Sequence, residues 1–295
     1  MKTLPLVSVI IPTYKRPENL IRAIESVIKQ TYNSIEIIVV DDNGLGTEWQ
    51  VYTYNLLKKY IEWNKIVYIP HEKNKNGSAA RNTGLQHSRG EYINFLDDDD
   101  EFMPNKIEKQ INCLNTHNDE YGACYCNSII IGKKRTFTTR NYQEGNIATE
   151  MLTEEAIFNT STILFKRKHL EAINGFDESF KRHQDWEMLI RYFRLYKICL
   201  AKDILLIKYT TPNIISSAPL STIEFKEKFL STYKEDIDQM SRKNEIYKRQ
   251  YEMLAIWLIK TGYKKYGLKY SQTAFKYGFP KFYTILKYLY YLIFY

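Results

Sequence analysis

Glu91-Tyr92-Ile93-Asn94-Phe95-Leu96-Asp97-Asp98-Asp99-Asp100 is the stretch around which this 295-residue chain is organised. Ile93, Phe95 and Leu96 predict a short buried strand that runs straight into four carboxylates, with a helix opening near Pro104. Four adjacent like charges repel one another, so a packed fold needs a counterion at this point. Carboxylate oxygens suit Mg²⁺ or Mn²⁺, ions that complete their shell with water and substrate phosphates. The stretch therefore reads as a metal-bridged diphosphate site at the end of a strand. The competing reading is a solvated acidic turn.

The residues before it supply a frame for such a site. Residues 6–11 are apolar and β-branched and end at Pro12, as suits a buried strand of a parallel sheet. Pro12-Thr13-Tyr14-Lys15-Arg16-Pro17 forms a loop, and Leu20, Ile21, Ile24, Val27 and Ile28 recur at helical spacing behind Pro17. A second strand, 35–40, stops at Asp41-Asp42; a helix over 49–63 and a strand over 65–69 follow. The loop 71–77 leads into a helix carrying Arg81 and Asn82. Ligands of open α/β sheets bind at the carboxyl ends of such strands. Two nucleotide motifs are absent: Trp49 stands where the third glycine of a GxGxxG begun at Gly44 is required, and no P-loop spacing occurs.

After Met103 a helix is predicted through Ile107, Ile111 and Leu114, then strands over 121–131 and 161–165, with a hairpin or flexible loop over 133–145. Further on, Gly175-Phe176-Asp177-Glu178-Ser179-Phe180-Lys181-Arg182-His183-Gln184-Asp185-Trp186-Glu187 precedes an apolar helix and marks a helix N-terminus.

Four ordered motifs now carry a resemblance: Val9-Ile10-Ile11-Pro12-Thr13-Tyr14, Ile38-Val39-Val40-Asp41-Asp42, Gly77-Ser78-Ala79-Ala80-Arg81-Asn82-Thr83-Gly84 and Phe95-Leu96-Asp97-Asp98-Asp99-Asp100. Together they closely resemble the family 2 glycosyltransferases over about residues 7–209. The resemblance implies an α/β, GT-A (Rossmann-like) fold, with a mixed, mainly parallel sheet flanked by helices. It further implies a nucleotide-sugar donor, Mn²⁺ or Mg²⁺, and inversion at the sugar carbon. By this match Asp42 accepts the uracil N–H, a charge-assisted bond, with Tyr14 against the base and the Pro12-Thr13 backbone alongside. Arg81 supports base or phosphate, since a fixed cationic fork serves either. Asp99 binds the metal, while Asp97 or Asp98 holds ribose or donor-sugar hydroxyls. Asp100 contacts the donor or caps the following helix. Asp41 reads as a loop residue bonding local backbone. One departure is visible: Asp41-Asp42-Asn43-Gly44 replaces the family's usual Asp-Asp-Gly-Ser.

Gln184-Asp185 occupies the place of the family's Glu-Asp pair, whose Asp takes the acceptor's proton. Asp185 is thus either the base or a helix cap. Trp186 stacks on a sugar face or belongs to the core, and His183 touches metal or phosphate or lies on the surface. The implied function is transfer of a hexose or N-acetylhexosamine from a UDP-sugar to a carrier-lipid-linked glycan in capsule, exopolysaccharide or lipopolysaccharide synthesis. The alternatives are an inactive nucleotide-sugar or glycan-binding module and a sugar-1-phosphate nucleotidyltransferase.

Domains are predicted at 1–215, with a nucleotide-sugar half to about 102 and an acceptor half beyond, and at 216–295, a helical extension. Seven of the eight net positive charges come from lysines after Glu252, a region with no acidic residue. They interleave with Tyr and Phe and suit an anionic inner-leaflet surface better than nucleic acid; a helical cap on the protein is the competing reading. The apolar run 282–295 is shorter than the roughly 20 residues a spanning helix needs. No signal peptide is read at the N-terminus, and Cys113, Cys124, Cys126 and Cys199 read as free thiols of a reducing cytosol. The expected location is cytoplasmic, peripheral on the inner face of the cell membrane.

Overall fold

The computed structural model describes residues 4–132, 135–180, 182–209 and 219–294. The chain divides into two compact units, Met1–Ile147 with Phe158–Pro212, and Ala148–Ile157 with Asn213–Tyr295. The boundary expected at 215/216 lies outside the described residues. Residues 148–157, read from sequence as part of the acceptor half, group with the C-terminal helices.

The first unit opens with β1 (Val7–Thr13), α1 (Pro17–Ile28), β2 (Ile35–Asp41), α2 (Glu48–Glu62), β3 (Val67–Pro70), α3 (Gly77–His87) and β4 (Tyr92–Phe95). Strands β3-β2-β1-β4 pair in parallel; the apolar runs of β1, β2 and β4 are buried, while the edge strand β3 is only partly covered. Strand β1 does not stop at Pro12. Its pairing with β4 ends at the pair Ile10↔Phe95, so nothing on that side requires an N–H from Pro12, while Pro12 and Thr13 stay in register with Val40 and Asp41.

Then come β5 (Asp100–Phe102), α4 (Lys106–Leu114), β6 (Tyr121–Ile131), β7 (Thr136–Thr138), α5 (Ala148–Leu152, in the second unit), β8 (Ile163–Lys166), α6 (Arg167–Ala172), α7 (Gln184–Leu195) and β9 (Lys197–Tyr209). The sheet order is β3-β2-β1-β4-β8-β6-β9-β5, with β7 paired to β6 as a hairpin. Strands β5 and β9, absent from the sequence reading, pair antiparallel with Asp100 opposite Lys208. The core joins Val9, Ile11, Leu20, Ile24, Val39, Leu96, Ile107 and Leu164, each contributing roughly 1.5–3 kcal/mol by burial. Beneath the acidic turn lies a fully buried lysine, Lys106. Its Nζ donates to Asn94 Oδ1 (3.0 Å) and Gln110 Oε1 (2.7 Å), and burial lowers its pKa to about 8.

The second unit adds α8 (Pro219–Thr232), α9 (Lys234–Asp238), α10 (Lys243–Lys260), α11 (Lys264–Phe275) and α12 (Phe282–Phe294) to α5. Ile223, Leu254, Ala255, Leu258, Ile259, Tyr270 and Tyr288 form its own core. Gly267 lies inside α11. A Cβ there would stand 2.4 Å from Ile259 Cγ1 and 2.9 Å from the Ala255 carbonyl oxygen, so glycine admits close packing of α11 on α10. Helix α12 buries Thr284 and Tyr288 and exposes Phe282, Tyr283, Leu289, Tyr290, Ile293 and Phe294. Among the described residues no helix is long and apolar enough to cross a membrane.

Candidate active site

The carboxyl ends of β1, β2 and β4 meet at one rim of the sheet. Asp41 accepts from Asn43 N (2.9 Å), the local backbone bond predicted for it, but it is the last, buried residue of β2 and not a loop residue, and it also accepts from Tyr68 Oη (2.7 Å) of β3. Burial raises its pKa. Asp42 is placed differently from the expectation. One of its oxygens meets His71 Nδ1 (2.7 Å) and accepts from Lys75 N (2.8 Å); the other accepts from Asn74 Nδ2 (2.8 Å) and Asn76 N (2.9 Å). A carboxylate has about four lone-pair sites, and all of them are used in holding the 71–76 loop. Reading a base N–H through Asp42 therefore requires one of these bonds to be given up.

The four carboxylates answer their mutual repulsion with tethered cations. Arg81 Nη2 donates to Asp97 Oδ1 at 2.7 Å. Arg16 lies 2.5 Å from Asp99 Oδ2 and 3.1 Å from Asp98 Oδ1. Lys208 Nζ lies 3.3 Å from Asp100 Oδ2 and 3.8 Å from Asp97 Oδ2. Asp98 is buried and accepts from Thr13 Oγ1 (2.8 Å); burial, with Asp99 and Asp97 adding to it, raises its pKa to about 7 although Arg16 and Thr13 oppose the rise. Asp100 is raised to about 7 as well, by burial and then by Asp97. For Asp97 burial works the other way from the outcome: the Arg81 and Lys208 charges win and hold it below the usual carboxylate range. The helix-cap reading of Asp100 is corrected, because Asp100 belongs to β5 and α4 begins at Lys106 behind Asn105.

These residues fit a divalent cation. Oxygens of Asp97, Asp99 and Asp100 lie within 4.8 Å of one another, a hard all-oxygen donor set suited to Mg²⁺ or Mn²⁺. Asp99 was the expected ligand; Asp97 and Asp100 lie with it in this donor set.

Asp185 lies in the first turn of α7, behind His183, whose left-handed backbone (φ 49°) starts the helix without a side-chain cap. Its carboxylate faces inward: Oδ1 is 3.6 Å from Arg81 Nη1, and Oδ2 accepts from Thr160 Oγ1 at 3.5 Å. Burial raises its pKa and Asp97 adds to the rise, while Arg81 and Lys208 oppose it. The side chain meets Arg81 and Thr160, so the cap reading does not describe it. Gln184 Nε2 lies 3.5 Å from Asn76 Oδ1, and Asn76 caps α3 by accepting from Ser78 N and Ala79 N. The N-termini of α3 and α7 thus converge on the acidic rim, which favours a bound anion there. The backbone at Gly77 runs close to both side chains: a Cβ there would stand 3.0 Å from Arg81 Nη1 and 3.3 Å from Gln184 Oε1.

Tyr14 is 42% exposed beside the half-buried Pro12 and the buried Thr13, so its ring is not core; the Lys15 ammonium lies over it, 4.9 Å from the centroid. Trp186 is half-buried and His183 exposed. The residues that sequence reasoning left unassigned are Arg16, Lys208, Thr160 and Asn76. Arg16 stood in a loop already singled out; Lys208 has no sequence signal until the β5–β9 register is known.

The family model for Glycosyl transferase family 2 matches residues 8–199. The chain belongs to this family. The glycosyltransferase is 28% identical over 258 residues to Escherichia coli WcaA, a protein named for colanic acid biosynthesis, covering 84% of this chain and 88% of that one. It is similar to Staphylococcus aureus TarS 1-349 in complex with UDP-GlcNAc (TM-score 0.63, 16% identity, 97% of this chain, 79% of that one). It is also similar to a Pyrobaculum calidifontis mannosyltransferase in complex with GDP-Man and Mn²⁺ (TM-score 0.60, 17% identity, 93% and 75%). At these identities the likeness speaks for the fold, and the glycosyltransferase has the GT-A architecture expected of it.

Proposed function

We propose that this glycosyltransferase moves a hexose or N-acetylhexosamine from a UDP-sugar to a hydroxyl of a carrier-lipid-linked glycan in surface polysaccharide assembly. The observation that supports this most is Arg81, which joins Asp97 to Asp185 and so brings the donor rim and a basic carboxylate into one site. Asp185 removes the acceptor hydroxyl proton as that oxygen attacks the sugar carbon opposite the departing diphosphate. Its raised pKa suits a base better than an ordinary exposed aspartate. The reaction is a single displacement through an oxocarbenium-like transition state, and an α-linked donor gives a β-linked product. The base rests on Tyr14 and the Pro12-Thr13 backbone, against the loop that Asp42 fixes. Asp98 holds ribose or sugar hydroxyls. Asp99, with Asp97 and Asp100, would hold Mn²⁺ or Mg²⁺, whose chemistry is to offset charge on the leaving diphosphate.

The two solved neighbours carry different nucleotide bases, so the donor is the first thing to test. Release of nucleoside diphosphate is measured from UDP-, GDP- and dTDP-sugars with Mn²⁺. The expected result is metal-dependent release from one UDP-sugar, lost in Asp99→Ala. Release confined to a GDP- or dTDP-sugar overturns the uracil reading; nucleotide binding without release under any acceptor supports a binding module instead.

Membrane docking is carried by α12 and its surroundings, where exposed Phe279, Phe282, Ile293 and Phe294 accompany Lys276, Lys281 and Lys287. Deleting everything after Glu252 would cut α10 and remove most of the second unit's core, so surface substitutions are the cleaner probe. The Phe282→Ser, Ile293→Ser, Phe294→Ser variant should float less with anionic liposomes than the unaltered protein. Equal flotation of the two sinks the membrane reading.

A further inference from the structure

All four cysteines are free, and three of them gather far from their order in the chain. Cys113 lies near the end of α4; Cys124 in β6 and Cys199 in β9 are direct partners in the parallel register. Cys113 Sγ and Cys199 Sγ stand 3.6 Å apart. Both sulfurs and one ring nitrogen of His117 lie within 4.8 Å of one another. Two sulfurs on a tetrahedral Zn²⁺, each at about 2.3 Å, are roughly 3.8 Å apart, close to the spacing seen here. A disulfide would need them at about 2.05 Å.

His117 Nδ1 lies 2.9 Å from the Cys113 carbonyl oxygen and 3.1 Å from Thr116 Oγ1, and a carbonyl partner on one ring nitrogen is the usual support of a histidine that binds metal through the other. Cys124 and Cys199 are fully buried, Cys113 and His117 half-buried. His117 also lines a surface hollow with Leu114, Asn115 and Asp119. The donor set shares no residue with the acidic rim and differs from it in kind, sulfur and imidazole against hard oxygen.

We propose that Cys113, His117 and Cys199 bind one Zn²⁺ that clamps α4 to β9, with a fourth position left to water. On binding, each thiol that becomes a ligand gives its proton to solvent. The site is independent of the proposed transfer reaction, and its test does not read activity.

The full chain, reduced and freed of metal with a chelator, is titrated with Co²⁺ as a spectroscopic stand-in for Zn²⁺. The expected result is thiolate-to-cobalt charge-transfer absorption that saturates at one equivalent, is abolished by excess Zn²⁺, and persists in Asp99→Ala. Cys113→Ser should lose it. His117→Ala, at a half-buried position where folding is least at risk, should weaken binding at least as much as loss of an outer-shell partner, about 10- to 100-fold. A folded wild type with no such absorption overturns the proposal, as does a band unchanged in both variants. A Cys113–Cys199 disulfide in protein isolated without reductant, with no cobalt band after reduction, overturns it in favour of a redox pair.

Discussion

Asp185→Asn lowers kcat by about 10²- to 10⁴-fold, the range a positioned general base supplies, and leaves nucleotide binding intact. The amide keeps the size of the side chain and can still accept from Thr160 Oγ1, but it cannot take a proton. Arg81 retains its 2.7 Å bond to Asp97, so the donor rim stays in place. A base must be deprotonated to act, and burial raises the folded pKa of Asp185 above that of an ordinary aspartate. The acidic limb of the wild-type kcat/KM profile therefore lies at higher pH than a free carboxylate would give, with activity lost as pH falls through it. Steady-state rates across pH, paired with calorimetric UDP titration, check both parts. Undiminished turnover in a folded Asp185→Asn protein removes Asp185 as the base.

The second large effect is on stability. Lys208→Met lowers the unfolding free energy by roughly 3–5 kcal/mol at pH 8 without divalent cations, the usual result of leaving a buried charge without its partner. Met fills the space of the lysine stem but leaves Asp100 and one oxygen of Asp97 facing no cation. The pH dependence has a definite sign. Asp100 has a folded pKa raised above its unfolded value, so between about pH 4 and 7 the folded state holds a proton that the unfolded state releases, and stability falls as pH rises through that window. Lys208 opposes that rise in pKa, so removing it widens the window upward. The deficit is accordingly smaller near pH 5, where Asp97 alone is left ionised without Lys208, and larger at pH 8. Millimolar Mn²⁺ recovers part of it by taking the place of the lost cation. Urea unfolding of both proteins at the two pH values, with and without chelator, reads all of this; equal stability at pH 8 would show that Lys208 is no counterion.

What could be read from the chain and what could not divide along physical lines. The parallel half was legible because its strands are continuous apolar runs that stop at polar residues, and because α1 carries its apolar positions at helical spacing. The acidic turn was legible as a place needing positive charge. The source of that charge was not, since opposing Asp100 to Lys208 depends on the pairing of a three-residue strand with a thirteen-residue one. Strand β9 was also hidden by its irregular pairing with β6, which shifts register around Asn127. The hold of Asp42 on the 71–76 loop was hidden for a related reason. Two of its four partners are backbone N–H groups, which every residue but proline possesses and no sequence advertises.

The segment 148–157 has a consequence for how this protein came to be assembled. The chain leaves the catalytic unit, contributes α5 to the helical one, returns for β8, α7 and β9, and only then leaves for good. Gln250 donates to the Leu152 carbonyl oxygen and Arg242 pairs with Glu155, while Met151, Leu152 and Ala156 are buried. A shortened protein ending near residue 212 would strand these apolar side chains without partners and should aggregate where the whole chain does not. The C-terminal helices are therefore stitched in twice, and a lineage acquiring, losing or exchanging them by a single recombination event would leave an orphaned loop behind.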